Sequence, residues 1–292
     1  MWIKRFVLFL FIQGTFSPLF SQLSDSIQKL PDDTIKLSFL KKQAISLSED
    51  DPDNCLPFVN AGILLAQKLK QPVAEGELWK AAGVAYDVKG DLDSCLYHLS
   101  IAKRIFIAQN QTALLSNTIS DIGLAYYLRG IFEVALRNHF EALKLREIAG
   151  DKSLLSKSYN NIGLVYRARK DYKNAIAYYQ KSLSLKKELA DSAGLLNSLM
   201  NIGSCYQYQK KYDTALFFSQ QTLALSRLIH KPRDEVNSLA NIGVAYVGLQ
   251  NYAAGETTLT EALNKSISID YKESLFSIYE GMGSIMLHKK YY

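Results

Sequence analysis

Tyr159, Ile162 and Tyr166 stand three and then four residues apart, the i, i+3, i+7 spacing that puts apolar side chains on one face of a helix. Arg169-Lys170-Asp171 interrupts this stripe, and a second one begins at Tyr172 and runs past Leu185. The pattern predicts a helical hairpin, helix A then helix B, joined by a tight polar break. Gly90 and Gly130 occupy the break in other copies, where a helix–helix turn favours a residue that accepts positive φ. A single hairpin of this kind cannot bury both of its apolar faces, so it needs neighbours stacked on it.

The neighbours are written into the chain as a repeat. Gly83, Gly123, Gly163, Gly203, Gly243 and Gly283 lie 40 residues apart. The preceding slot holds Ala82, Ile122, Ile162, Ile202, Ile242 and Met282. Three after the glycine come Tyr86, Tyr126, Tyr166, Tyr206 and Tyr246, with Met286 in the last copy. Nine after it come Leu92, Phe132, Tyr172, Tyr212, Tyr252 and Tyr292, and twelve after it the small residues Cys95, Ala135, Ala175, Ala215 and Gly255. Leu143, Leu183, Leu223 and Leu263 recur twenty after the glycine. A period of this size marks stacked supersecondary units. A mid-helix glycine costs about 1 kcal/mol against alanine. Its recurrence therefore predicts a place where helix A and helix B approach too closely for a side chain.

Asn-Ile-Gly-x-x-Tyr, followed by an aromatic and then an alanine, resembles the tetratricopeptide repeat in a longer, 40-residue variety. The resemblance covers residues 77–292: five copies at 77–116, 117–156, 157–196, 197–236 and 237–276, and a cut-short sixth at 277–292. Residues 22–76 form an N-terminal segment with a degenerate capping hairpin from residue 34. There Gln43 replaces the glycine, Asp51-Pro52 opens helix B and Cys55 keeps the small slot. The resemblance implies an all-α fold, a right-handed superhelical solenoid of antiparallel hairpins. It also implies that helix A lines a concave groove.

One polar series occupies that implied groove. Two residues before the glycine lie Asp121, Asn161, Asn201 and Asn241. An asparagine amide both donates and accepts, so a ladder of them suits the backbone of an extended peptide. Stacked helices lie about 8–10 Å apart and an extended chain advances roughly 3.3 Å per residue, so one asparagine meets about every third ligand residue. The other reading is that these amides face water or bond neighbouring helices. Three such contacts at ~0.5–1.5 kcal/mol each supply at most about 4–5 kcal/mol, whereas micromolar affinity needs roughly 8. Side-chain pockets must add the rest, and Leu124, Tyr127, Leu164, Arg167, Gln207 and Tyr208 follow on the same expected face.

Other candidate chemistry is weaker. Cys55 and Cys95 sit in the small slot, and Cys205 aligns with Ala85, Ala125, Val165 and Ala245, so all three read as buried small hydrophobes rather than a disulfide framework. His98, His139, His230 and His288 occupy four different slots, none with a second ligand at metal-site spacing. Gly281-Met282-Gly283 lacks the third glycine and the preceding strand of a dinucleotide loop. Glu49-Asp50-Asp51-Pro52-Asp53 lacks the glycine and distal glutamate of a calcium loop. No catalytic residue, cofactor or metal is expected.

The N-terminus adds a location. Lys4 and Arg5 precede an apolar run, Phe6 to Ile12, and Ser21 offers a small residue before a cleavage point at Gln22. Residues 1–21 read as an export signal, the alternative being an uncleaved anchor. The apolar run is too short to span a bilayer, which needs roughly 20 residues. Without Lys4 and Arg5 the charge falls from +6 to +4, too small and scattered for a nucleic-acid groove. The expected function is non-catalytic binding of a protein or extended peptide in the periplasm or outside the cell. The alternative is the sensor region of a membrane-bound signalling protein, with a histidine kinase or DNA-binding output and a possible membrane span beyond Tyr292. Lys289-Lys290-Tyr291-Tyr292 aligns with the opening of helix B at Lys210-Lys211-Tyr212, so the repeat is expected to continue past this point.

Overall fold

The computed structural model describes residue 27 and residues 29–291, with the side chain of 291 excepted. The expected export signal at 1–21 lies outside the described residues. Among those described there are thirteen long helices and no strands, in two compact units, one ending at Ala149 and the other beginning at Gly150. In the first unit α1 (Thr34–Leu47) pairs with α2 (Pro52–Lys68), α3 (Pro72–Val88) with α4 (Leu92–Ala108), and α5 (Thr112–Leu128) with α6 (Phe132–Ala149). In the second, α7 (Lys152–Ala168) pairs with α8 (Tyr172–Glu188), α9 (Ser192–Tyr208) with α10 (Tyr212–Leu228), and α11 (Pro232–Gly248) with α12 (Tyr252–Ser268). The last helix, α13 (Leu275–Tyr291), packs on α11 and α12. Each helix A starts five residues ahead of the cut points 77, 117, 157, 197 and 237. No helix among the described residues is long and apolar enough to cross a membrane.

The turns explain the period. Lys70, Gly90, Asn110, Gly130, Gly150, Lys170, Ala190, Lys210, His230, Gln250 and Asp270 all have positive φ, one residue in every twenty. Each 40-residue unit is therefore two half-units of one helix and one left-handed turn. At the α3–α4 turn the Gly90 N–H bonds the Asp87 carbonyl and the Asp91 N–H bonds the Tyr86 carbonyl at 2.9 Å, which satisfies the last carbonyls of helix A. Asp91 then caps α4 by accepting from the Ser94 N–H, and Asp171 and Asn251 do the same for α8 and α12. One residue thus closes one helix and opens the next. α13 departs from this scheme: it stays helical through Lys289 and Lys290, where the register places a polar break, and Lys290 is not left-handed.

The glycine slot is a point of close approach. A methyl group added at Gly163 would fall 2.7 Å from Tyr179 Cε1, at Gly83 2.7 Å from Leu99, at Gly123 2.8 Å from the His139 ring and at Gly243 2.5 Å from Leu259. Each partner sits sixteen residues later, on helix B of the same hairpin. At Gly203 that partner is Ser219 and the fit is looser, 3.3 Å to Phe218 Cβ. The recurrent tyrosine stacks on helix B beside it: Tyr86 on His98, Tyr166 on Tyr178 and Tyr206 on Phe218, at 5.0–5.6 Å between ring centroids. Cys55, Cys95 and Cys205 are free and buried, and burial pushes their thiols up to about 11, 12 and 11.

All four histidines have structural places. His98 is sandwiched by Trp79 and Tyr86, His139 fills the space beside Gly123, His230 is a left-handed turn residue and His288 stacks on Tyr252. Burial holds His98 and His139 down at about 4, with Arg146 adding to the effect at His139.

This packing has measurable consequences. Gly163→Ala should lower the thermal midpoint, by about 1–3 kcal/mol of stability, because the fully buried Tyr179 ring cannot move aside. Gly283→Ala, with nothing within 4 Å of the new methyl, should be neutral or stabilising by up to about 1 kcal/mol. For His139, the unfolded imidazole takes a proton below 6.5 while the folded one stays neutral until about 4, so stability is lost as pH falls through this window. The loss should reach about 2 kcal/mol by pH 5. His139→Leu, which installs the side chain found at Leu99 and Leu259, should therefore lose less thermal stability than the natural protein between pH 7 and 5. Parallel losses would contradict the assignment.

Candidate functional site

In the second unit the helices A are α7, α9 and α11, and successive ones touch. Asn161, Asn201 and Asn241 lie half-buried on them, each beside its buried isoleucine and glycine. The structure ties the middle one down. Asn201 Oδ1 accepts from the Arg167 guanidinium at 3.0 Å, and Asn201 Nδ2 donates to Asn160 Oδ1 at 3.3 Å. Both partners are on α7, one hairpin earlier. An asparagine amide carries two N–H groups and two lone pairs, so Asn201 keeps one of each after these bonds. Its rotamer is thereby fixed and its spare capacity is retained. One hairpin on, Gln207 and Asn241 hold the slots of Arg167 and Asn201. Gln207 Oε1 is buried without a hydrogen bond, and Asn241 makes no side-chain hydrogen bond among the described residues.

The same three slots recur in the first unit with different chemistry. Lys80 on α3 holds the Asn160 slot, Asp87 the Arg167 slot and Asp121 on α5 the Asn201 slot. Lys80 Nζ stands 3.0 Å from Asp121 Oδ2. Burial raises the Asp121 carboxyl against the opposing pull of Lys80 and Arg146, and burial followed by the charge of Asp121 raises Asp87. Leu124 lines a cavity of about 290 Å³ together with both aspartates.

The remaining sequence candidates divide. Leu164 is half-buried on α7 next to Arg167's face. Tyr127 leans on Phe132 of its own hairpin at 6.1 Å. Tyr208 is 66% exposed and stacks on Tyr172 at the start of α8, so it marks the turn end of helix A instead of joining the asparagines. Sequence reading overlooked Asn160, Lys80 and Asp87. Their signal was present: Asn160 and Arg167, like Lys80 and Asp87, are seven apart and so share one helical face. Among the described residues no group of three His, Cys, Asp or Glu side chains is arranged to hold a metal ion.

Residues 154–228, from α7 to α10, match the family model described as tetratricopeptide repeat. No curated protein matches the chain in sequence. Several solved structures are similar in fold. BtubC (BKLC) from P. vanneervenii superposes with a TM-score of 0.65 at 19% identity, over 79% of this chain and 92% of that one. A signal transduction ATPase with numerous domains, carrying a tetratricopeptide repeat sensor, from Pyrococcus horikoshii gives 0.72 at 18% identity over 87% of this chain. This chain spans only 40% of that protein's length. The apo form of the quorum sensor NprR from B. thuringiensis gives 0.67 at 17% identity over 91% of this chain and 74% of that one. NprR in complex with its cognate peptide NprX gives 0.60 at 15% identity over 96% and 85%. The hairpin geometry and the glycine contacts agree with the sequence match through α7–α10: residues 154–228 are tetratricopeptide repeats, and the other described hairpins share their helical-hairpin fold.

Proposed function

We propose that this chain is a non-catalytic scaffold that binds an extended peptide or protein segment along the polar face of its helices A. The observation that carries the reading is Asn201, whose amide is oriented by Arg167 and Asn160 yet keeps one donor and one acceptor for a ligand backbone. The bonds of Asn201 to the neighbouring helix are the alternative that the sequence left open; in this proposal they preorganise the amide for a ligand and so lower the ordering cost of binding. NprR, whose fold this chain resembles, has been crystallised with its cognate peptide, and that supports a peptide as the ligand class.

The proposal includes export: residues 1–21 direct the chain across a membrane and are removed before Gln22, leaving it periplasmic or secreted. A second reading, a sensor region of a larger signalling protein, is favoured by the Pyrococcus horikoshii neighbour, whose repeat sensor is one part of a longer chain.

For binding, a peptide selected by display against the folded protein and followed by fluorescence anisotropy should lose at least about tenfold in affinity to the Asn161, Asn201 and Asn241 triple alanine variant. Unchanged affinity would remove the asparagine face from the account. For export, the chain produced with its own N-terminus in a bacterial host should be recovered from the periplasmic fraction with Gln22 as its first residue. Recovery of unprocessed chain from the cytosol would overturn that part.

A further inference from the structure

The first unit has one cavity whose chemistry the asparagine face does not explain. It measures about 290 Å³, and Val84, Leu99 and Leu124 form its apolar wall. Glu49, Asp87 and Asp121 bring three carboxylates to it. Asp87 Oδ1 is shielded from solvent and accepts no hydrogen bond. A buried acceptor without a donor is costly, and such groups in native folds call for a partner. Lys80 pairs with Asp121, and Arg146, bonded to Asn117, acts on Asp121 from outside the cavity lining. Neither donates to Asp87 Oδ1.

The second unit shows what completes this arrangement. There the slot of Asp87 is filled by Arg167, whose guanidinium bonds the residue in the slot of Asp121. In the first unit the arginine is replaced by a carboxylate; Lys80 is the cation beside Asp121, and no donor among the described residues reaches Asp87 Oδ1. We propose that the cavity between α3 and α5 receives an arginine side chain from the bound partner, with its guanidinium at Asp87 and Asp121 and its methylene stem along Val84, Leu99 and Leu124. A planar guanidinium can bond two carboxylates at once, which an ammonium point charge does less well. The stem suits an apolar wall. Glu49 is exposed at the rim and draws the cation in. This inference rests on the peptide-binding reading and gives it one specified side chain.

The test uses the full chain and two small probes, acetyl-arginine methylamide and its neutral isostere acetyl-citrulline methylamide. The methyl NMR signals of Leu99 and Leu124 report occupancy. The arginine probe should shift both saturably, and the citrulline probe should bind at least about tenfold more weakly. Asp87→Asn should weaken arginine binding by at least about tenfold, and Glu49→Gln, on the exposed rim, by less, with both variants keeping the natural thermal midpoint within a few degrees. Equal binding of the two probes, or arginine binding indifferent to both substitutions, overturns the proposal. The triple asparagine variant should bind the arginine probe normally, so a failed peptide face and a failed arginine pocket give different results.

Discussion

At Gly83, Gly123, Gly163 and Gly243 the backbone of helix A lies directly against a side chain of helix B, because no side chain of its own intervenes. That contact fixes how far apart the two helices stand and which residues of helix B fill the space. It accounts for the leucine, histidine or tyrosine sixteen residues on, and for the tyrosine that stacks beside it three residues after the glycine. The helix gives up intrinsic propensity at this position, about 1 kcal/mol each time, and regains it through packing. The left-handed turn every twenty residues keeps each helix in register, so the contact falls at the same place in these four hairpins.

With that register set, unlike slots 34 and 41 residues apart meet across neighbouring hairpins in a regular way. The residue three before the glycine and the residue four after it both face the residue two before the next glycine. The second unit writes this as Asn160, Arg167 and Asn201, a hydrogen-bonded set. The first writes it as Lys80, Asp87 and Asp121, which leaves a carboxylate oxygen unsatisfied. One geometry thus carries two chemistries, an amide suited to a peptide backbone and a carboxylate pair suited to a cation. These slots vary in chemistry while the glycine contact recurs.

The core of this arrangement was legible in the sequence, because apolar and small residues recur identically where packing admits few alternatives. The spacing of Gly163, Tyr166 and Ala175 is enough to place them on helices. The turns were only half legible. Gly90 and Gly130 announce positive φ, but Lys170, Ala190, Gln250 and others adopt it too, held by the helices on either side at a strain of roughly 1–3 kcal/mol each. The site was legible as a series of asparagines and not as a set of contacts. Periodicity compares like slots, whereas Arg167 and Asn201 meet across unlike ones. Tyr208 shows the same limit: one residue of difference from Gln207 turns it by about 100° and takes it to Tyr172.

The central claim is that a ligand lies on the asparagine face of helices A. Side-chain amide NMR tests it most directly. On titration with a selected peptide, the Nδ2 resonances of Asn201 and Asn241 should shift to saturation, while those of Asn174 and Asn251, which serve the turns into α8 and α12, should stay in place. Saturable binding that moves Asn174 or Asn251 and leaves Asn201 and Asn241 unmoved would contradict the account.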